Sequence, residues 1–137
     1  MPQYAPEEAI RLYRAAMQEV VGEIMGVMES RAPGLDRLCD GLERYWEGWF
    51  ARRELRRAAY DSTRGTSFEH SVEPMGRPFL VMVRGELLQD GVRNADRLAQ
   101  WIYDESRAIA TAEADGDERA PERRAKMLAL LRADAAG

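Results

Sequence analysis

A repeating apolar pattern is clearest in residues 35–50, LDRLCDGLERYWEGWF. Its large apolar side chains recur at steps of three and four residues, which places them on one face of a helix. They are Leu35, Leu38, Leu42, Tyr45, Trp46, Trp49 and Phe50. Pro33 and Gly34 directly precede the stretch and are typical of a break between two helices. The pattern therefore predicts a helix that is buried along one side and carries large aromatic side chains towards its C-terminal end.

The same helical period occurs on the N-terminal side of this break. Pro6, Glu7 and Glu8 are typical of a helix start, because proline suits the first turn and carboxylates there meet the positive end of the helix dipole. The apolar positions that follow are Ile10, Tyr13, Met17, Val20, Val21, Ile24, Val27 and Met28. We expect a helix from residue 6 to about residue 30 with one buried face.

On the C-terminal side, residues 52 to about 60 predict a short Arg-rich helix. Residues 61–77 are rich in Ser, Thr, Gly, Pro and charged types, and predict a long loop or a loosely ordered connection. Pro78 then suits the first turn of a fourth helix. Apolar side chains cover most of the circumference of that helix, which predicts a central position. They are Phe79, Leu80, Val81, Met82, Val83, Leu87 and Leu88.

Two further helices are expected towards the C-terminus. One extends over about residues 93–115, and the other begins near Pro121, after a break at residues 115–117. The chain has no convincing strand pattern and no repeat of fixed period. The fold prediction is all-α: one domain over residues 1–137, formed by a compact bundle of five to six helices.

Composition limits the functional classes. The 137 residues are 45% hydrophobic and 32% charged, with a net charge of −4, which favours a folded domain and disfavours direct nucleic-acid binding. Cys39 is the single cysteine, so an intrachain disulfide is excluded, and one histidine beside it cannot complete a zinc cage. The sequence shows neither a secretory signal nor a membrane-spanning stretch. We therefore expect a cytoplasmic protein without membrane attachment.

The titratable residues give little support for catalysis. His70 stands beside Glu69, but adjacent residues rarely converge on one atom, so a solvated or capping histidine is favoured over a catalytic base. Cys39 has no base that the sequence places beside it, which favours a small core residue. Four glutamates at four-residue spacing favour solvated faces over a metal site; they are Glu19, Glu23, Glu43 and Glu47. We expect no enzyme, no cofactor and no metal.

The aromatic side chains are the most distinctive feature for binding. Helical bundles form ligand cavities from such faces, although aromatic residues also dominate ordinary cores, and the core interpretation is the more common one. The candidate pocket residues are Trp46, Trp49, Phe50, Phe79, Met82 and Trp101. A second feature is the basic edge formed by Arg52, Arg53, Arg56 and Arg57. It suits an anion or an acidic partner, but such a run is usually a solvated face.

Several stretches together resemble a known family. Residues 8–13, EAIRLY, are similar to a helix opening in that family, and residues 35–50 followed by residues 53–57, RELRR, to its step between two pocket helices. Residues 77–87 resemble the next segment, and the last two helices resemble a dimerising pair. Over nearly its whole length the chain resembles the C-terminal ligand-binding and dimerisation domain of TetR-type bacterial transcriptional regulators.

This resemblance implies an all-α effector domain that binds a small apolar or amphipathic ligand and forms a homodimer through its last two helices. The departure is at the N-terminus, where residues 1–5 leave no room for the family's helix-turn-helix, so no DNA-contact residue is carried over. We therefore expect a TetR-like effector-binding and dimerisation domain without its own DNA-binding unit. The alternative is a helical protein–protein interaction module, an antagonist or adaptor, with no small-molecule ligand.

Overall fold

The computed structural model describes residues 4–68, 70–71 and 76–136, with the side chains of residues 134–136 left out of the description. These residues form six α-helices and no strand. The helices are α1 (Pro6–Met28), α2 (Leu35–Ala51), α3 (Arg53–Thr63), α4 (Arg77–Gln89), α5 (Ala95–Ala114) and α6 (Ala120–Ala136). The prediction of an all-α bundle is confirmed. In the described part of the chain, no helix is both long enough and apolar enough to cross a lipid bilayer.

Helix α2 is the centre of the bundle, because it packs against all five other helices. Its buried tryptophans hold it there: the Trp46 indole Nε1 donates to the Ser106 carbonyl in α5 at 3.1 Å, and the Trp49 ring stacks on Tyr13 of α1 with centroids 5.1 Å apart. The amphipathic pattern that begins at Leu35 therefore corresponds to the most extensively packed element.

Helices α1 and α2 approach each other closely through two glycines of α2. A Cβ atom on Gly41 would stand 2.9 Å from the Met28 sulfur, and a Cβ atom on Gly48 would stand 3.3 Å from a Val20 methyl carbon. Both distances are shorter than ordinary van der Waals contact. The missing side chains therefore let the buried face of α1 pack directly on the α2 backbone.

The turn between α1 and α2 is fixed by a buried carboxylate from α4. Gly34, at a φ of 142° that favours glycine, donates its backbone N–H to a Glu86 carboxylate oxygen at 3.0 Å. Arg37 forms an ion pair with the same carboxylate through Nε, at 3.2 Å, and Nη2. It also donates to the carbonyls of Met28 and Arg31 at 3.3 and 3.2 Å, near the end of α1. One cluster thus connects α1, α2 and α4.

Helix α4 lies at the edge of the bundle, so the prediction that it is central is wrong. It packs against α5 and, less extensively, α2. Val81 is 69% exposed and Leu88 is 54% exposed, while Phe79, Val83 and Leu87 are buried. An apolar circumference does not require complete burial, and the interior position is already taken by α2.

The predicted loop at 61–77 is shorter than expected. Helix α3 continues to Thr63, whose hydroxyl donates to the Ala59 carbonyl at 2.9 Å, and α4 already begins at Arg77. Residues 64–68 and 70–71 are turns and bends, and Gly76 ends the connection. The remainder of the predicted loop, residues 69 and 72–75, lies outside the described residues.

Candidate functional site

The six candidate pocket residues lie in different environments. Trp46, Trp49 and Phe79 belong to the hydrophobic core, Met82 packs against that core, and Phe50 and Trp101 are exposed at the surface. Phe50 is covered only in part, by the Arg53 guanidinium 4.3 Å above its ring. The structure therefore brings four of the six together at the core and separates the other two from it.

A cleft of about 650 Å³ is formed elsewhere, between α3 and α5. Helix α3 contributes Arg56 and Tyr60, and helix α5 contributes Arg107 with the methyl groups of Ala108 and Ala112. None of the six candidate pocket residues lines this cleft. Its volume is within the range of small-molecule sites, and its walls combine cationic, aromatic and aliphatic groups.

Two arginines of the cleft are paired with carboxylates. Arg57 reaches Asp115 with 3.3 Å between Nη2 and Oδ1, and also donates to the Ala114 carbonyl. Arg64 lies 3.3 Å from the Asp61 carboxylate. These ion pairs neutralise both guanidinium groups locally, so neither has a charge that calls for a further anion.

Arg107 of α5 lines the cleft and contacts two tyrosines. Its Nη2 donates to the Tyr60 hydroxyl at 3.4 Å, and its guanidinium carbon lies 5.1 Å from the centre of the Tyr103 ring. The contact with Tyr60 joins the walls that α3 and α5 contribute. Arg107 thus helps to set the spacing between the two helices.

Arg56 differs from the other cleft arginines because it is buried, with only 4% of its surface exposed. Its Nη1 donates to the Thr111 hydroxyl at 3.0 Å, and its guanidinium carbon lies 5.7 Å from the Trp49 ring and 5.4 Å from the Tyr60 ring. Within the described residues, no carboxylate lies within 4 Å of it, and its Nε has no acceptor. Contacts with aromatic faces, worth roughly 1–2 kcal/mol each, offset only part of the several kcal/mol that burial of an unpaired ion costs.

Besides Arg56 Nε, a second buried donor without an acceptor belongs to Trp49, whose ring Arg56 covers. The indole Nε1 of Trp49 is buried and, in the part of the chain the structure describes, has no hydrogen-bond acceptor. Buried N–H groups are almost always paired in folded proteins. The core directly behind Arg56 therefore holds a second buried donor without an acceptor among the described residues.

The sequence favoured a solvated face for the basic edge, and this interpretation is wrong for Arg56. Arg52 is half-buried, and its Nη2 is 3.0 Å from both Glu19 and Glu23 of α1. Arg56 instead shares the inward face of α3 with Ala59 and Thr63, at steps of three and four residues. That spacing was visible in the sequence, but Arg107 and Thr111 are 51 and 55 residues further along the chain and carried no comparable signal.

The four spaced glutamates are ion-paired with arginines. Glu23 lies 2.7 Å from Arg44, and Glu43 lies 3.4 Å from Arg132. Within the described residues, no group of three or more potential ligands could hold a metal ion. His70 is exposed, and its neighbour Glu69 lies outside the described residues.

Cys39 is buried in α2, and burial raises the pKa of its thiol to about 11. Its thiolate is therefore disfavoured in the folded protein, and we expect a native thiol that reacts with iodoacetamide at pH 8 about 100-fold more slowly than an exposed one. Mass spectrometry of alkylated samples measures this rate, with the urea-unfolded protein as the control that labels fully. Rapid labelling of the native protein would contradict the assignment of Cys39 to the core.

No family model, no curated protein and no solved structure matches this chain. The structural features that bear on function are a cleft between α3 and α5 and, in its wall, a buried arginine without a counter-ion among the described residues.

Proposed function

We propose that the chain is a TetR-like regulatory effector-binding and dimerisation domain that binds a small amphipathic molecule in the cleft between α3 and α5. The cleft itself carries this proposal. Its volume of about 650 Å³ suits a small organic ligand. The Ala108 and Ala112 methyl groups and the Tyr60 ring offer surface to an apolar body, and Arg56 offers a donor to a polar head.

The ligand site in this proposal is not the aromatic pocket that the sequence suggested. Trp46 and Trp49 are enclosed by neighbouring core side chains and do not line the cleft. Trp49 nevertheless contacts Arg56, so the core and the cleft are adjacent at this point.

Self-association through the last two helices is supported by exposed apolar side chains on both of them. Trp101 of α5 is 40% exposed, Leu130 of α6 is also exposed, and α5 and α6 pack against each other. Large apolar side chains on a helix pair favour burial against a second surface. In a homodimer, that surface is the same helix pair of a second copy.

Native mass spectrometry of protein purified from cells tests both parts of the proposal. We expect a dimer with additional mass from a retained ligand. Ala108→Phe, which places a ring in the cleft, is expected to abolish the additional mass. Ala15→Phe, at an exposed position of α1, is the matched control and should retain it.

A specific observation favours the alternative, a helical protein-interaction module. Val81 and Leu88 are both exposed and stand seven residues apart on α4, which places them on one face of that helix. A monomer without additional mass, whose melting temperature no small apolar compound raises, would overturn the effector proposal. It would favour a partner that covers this face of α4.

A further inference from the structure

We propose that the ligand of the cleft is an organic carboxylate whose charged group binds the Arg56 guanidinium. This inference rests on the proposed function, because it assigns a chemical class to the ligand of the same cleft. Arg56 is the buried arginine of the cleft, and the described residues supply no carboxylate within 4 Å of it.

The geometry of Arg56 leaves one donor of the guanidinium group for a ligand. Nη1 is held by Thr111, a residue that also lines the cleft, so the group stands at the cleft wall. Nε has no acceptor among the described residues but is enclosed by protein atoms, whereas Nη2, which forms no hydrogen bond there either, is not enclosed in this way. Nη2 is therefore the donor that a carboxylate oxygen in the cleft can reach, in a charge-assisted hydrogen bond.

The remaining surroundings favour one negative charge attached to an apolar body. Arg57 and Arg64 are paired with Asp115 and Asp61, whereas Arg56 is buried and carries a charge that no carboxylate of the described residues balances within 4 Å. A carboxylate balances that charge, whereas a phosphate monoester carries nearly two negative charges. The methyl groups of Ala108 and Ala112 line the α5 side of the cleft and can contact the apolar body of such a ligand.

The selectivity of the unmodified protein can be tested with three probes that share one ring system: 2-naphthylacetate, 2-naphthylacetamide and 2-naphthyl phosphate. Isothermal titration calorimetry gives each dissociation constant. We expect the carboxylate to bind at least about 10-fold more tightly than the neutral amide, since hydrogen bonds to a charged group are stronger than those to a neutral one. The phosphate is expected to bind more weakly than the carboxylate.

Two neighbouring arginines provide a matched pair of variants. Arg56→Gln is expected to weaken carboxylate binding by about 10- to 100-fold and to leave amide binding within about 3-fold. Arg53→Gln, which removes an arginine of the same helix that does not line the cleft, is expected to change carboxylate binding by less than about 3-fold. If Arg56→Gln does not fold, the comparison of the three probes on the unmodified protein still decides the question.

The outcomes separate the two proposals. Equal binding of carboxylate and amide, with both lost in Ala108→Phe, would overturn the carboxylate assignment and retain the ligand cleft. Tighter binding of the phosphate would likewise overturn the carboxylate assignment alone. Binding of none of the probes would contradict both the carboxylate assignment and the proposed function.

Discussion

Glu86→Ala is expected to lower the free energy of unfolding by about 3 kcal/mol, as is typical when one partner of a buried ion pair is removed. Glu86 is buried, and its carboxylate accepts hydrogen bonds from Arg37 and from the Gly34 backbone N–H. Without it, the partly buried Arg37 guanidinium loses its counter-ion and keeps only the Met28 and Arg31 carbonyls as acceptors, and the Gly34 N–H loses its acceptor. Urea denaturation followed by circular dichroism at 222 nm measures the change.

The control is an ion pair with the same chemistry at the surface. Arg84 and Asp96 join α4 to α5, but both side chains are largely exposed. Asp96→Ala should therefore cost less than about 1 kcal/mol. The double replacement Arg37→Met with Glu86→Leu should recover much of the stability lost in Glu86→Ala, since no unpaired charge remains buried. Equal losses in Glu86→Ala and Asp96→Ala would show that the α1–α2 turn does not depend on the buried carboxylate.

Local features of the sequence predicted where helices form. They did not predict where each helix lies in the bundle. Pro6 begins α1 as expected, and α2 occupies the stretch from Leu35 that its apolar spacing indicated. The error at α4 has a physical cause: Val81 and Leu88 are apolar but exposed, and periodicity cannot tell an uncovered apolar face from a covered one.

Charged residues limited the prediction of the site. Arg56 occurs in a run of charged residues, where local spacing favours solvent, and Glu86 follows Arg84 and Gly85 in a mostly apolar helix with no local sign of a buried partner. Their partners are distant in sequence: Glu86 meets Arg37 across 49 residues, and Arg56 meets Thr111 across 55. Only the packing of α4 on α2, and of α3 on α5, brings these groups together. The cleft could therefore not be inferred from the arginine run alone.

The sequence left two interpretations of the aromatic residues open, core or ligand pocket, and the two differ in a measurable way. Trp46 has no exposed surface and Trp101 is 40% exposed, so one is a core residue and the other a surface residue. Trp46→Ala is expected to lower the free energy of unfolding by about 4 kcal/mol, through lost burial, a cavity and the lost bond to the Ser106 carbonyl.

Trp101→Ala is the matched control for Trp46→Ala and should cost less than about 1 kcal/mol in the monomer, because little of its burial is lost. Urea unfolding of both variants at two protein concentrations separates packing from association. A loss in Trp101→Ala that grows with protein concentration would indicate that the exposed indole is buried in a dimer. The loss in Trp46→Ala should exceed it at both concentrations, since that ring lies inside each chain. If Trp46→Ala instead proved as stable as Trp101→Ala, the central packing of α2 would be refuted, and a ligand pocket around Trp46 would become the better interpretation.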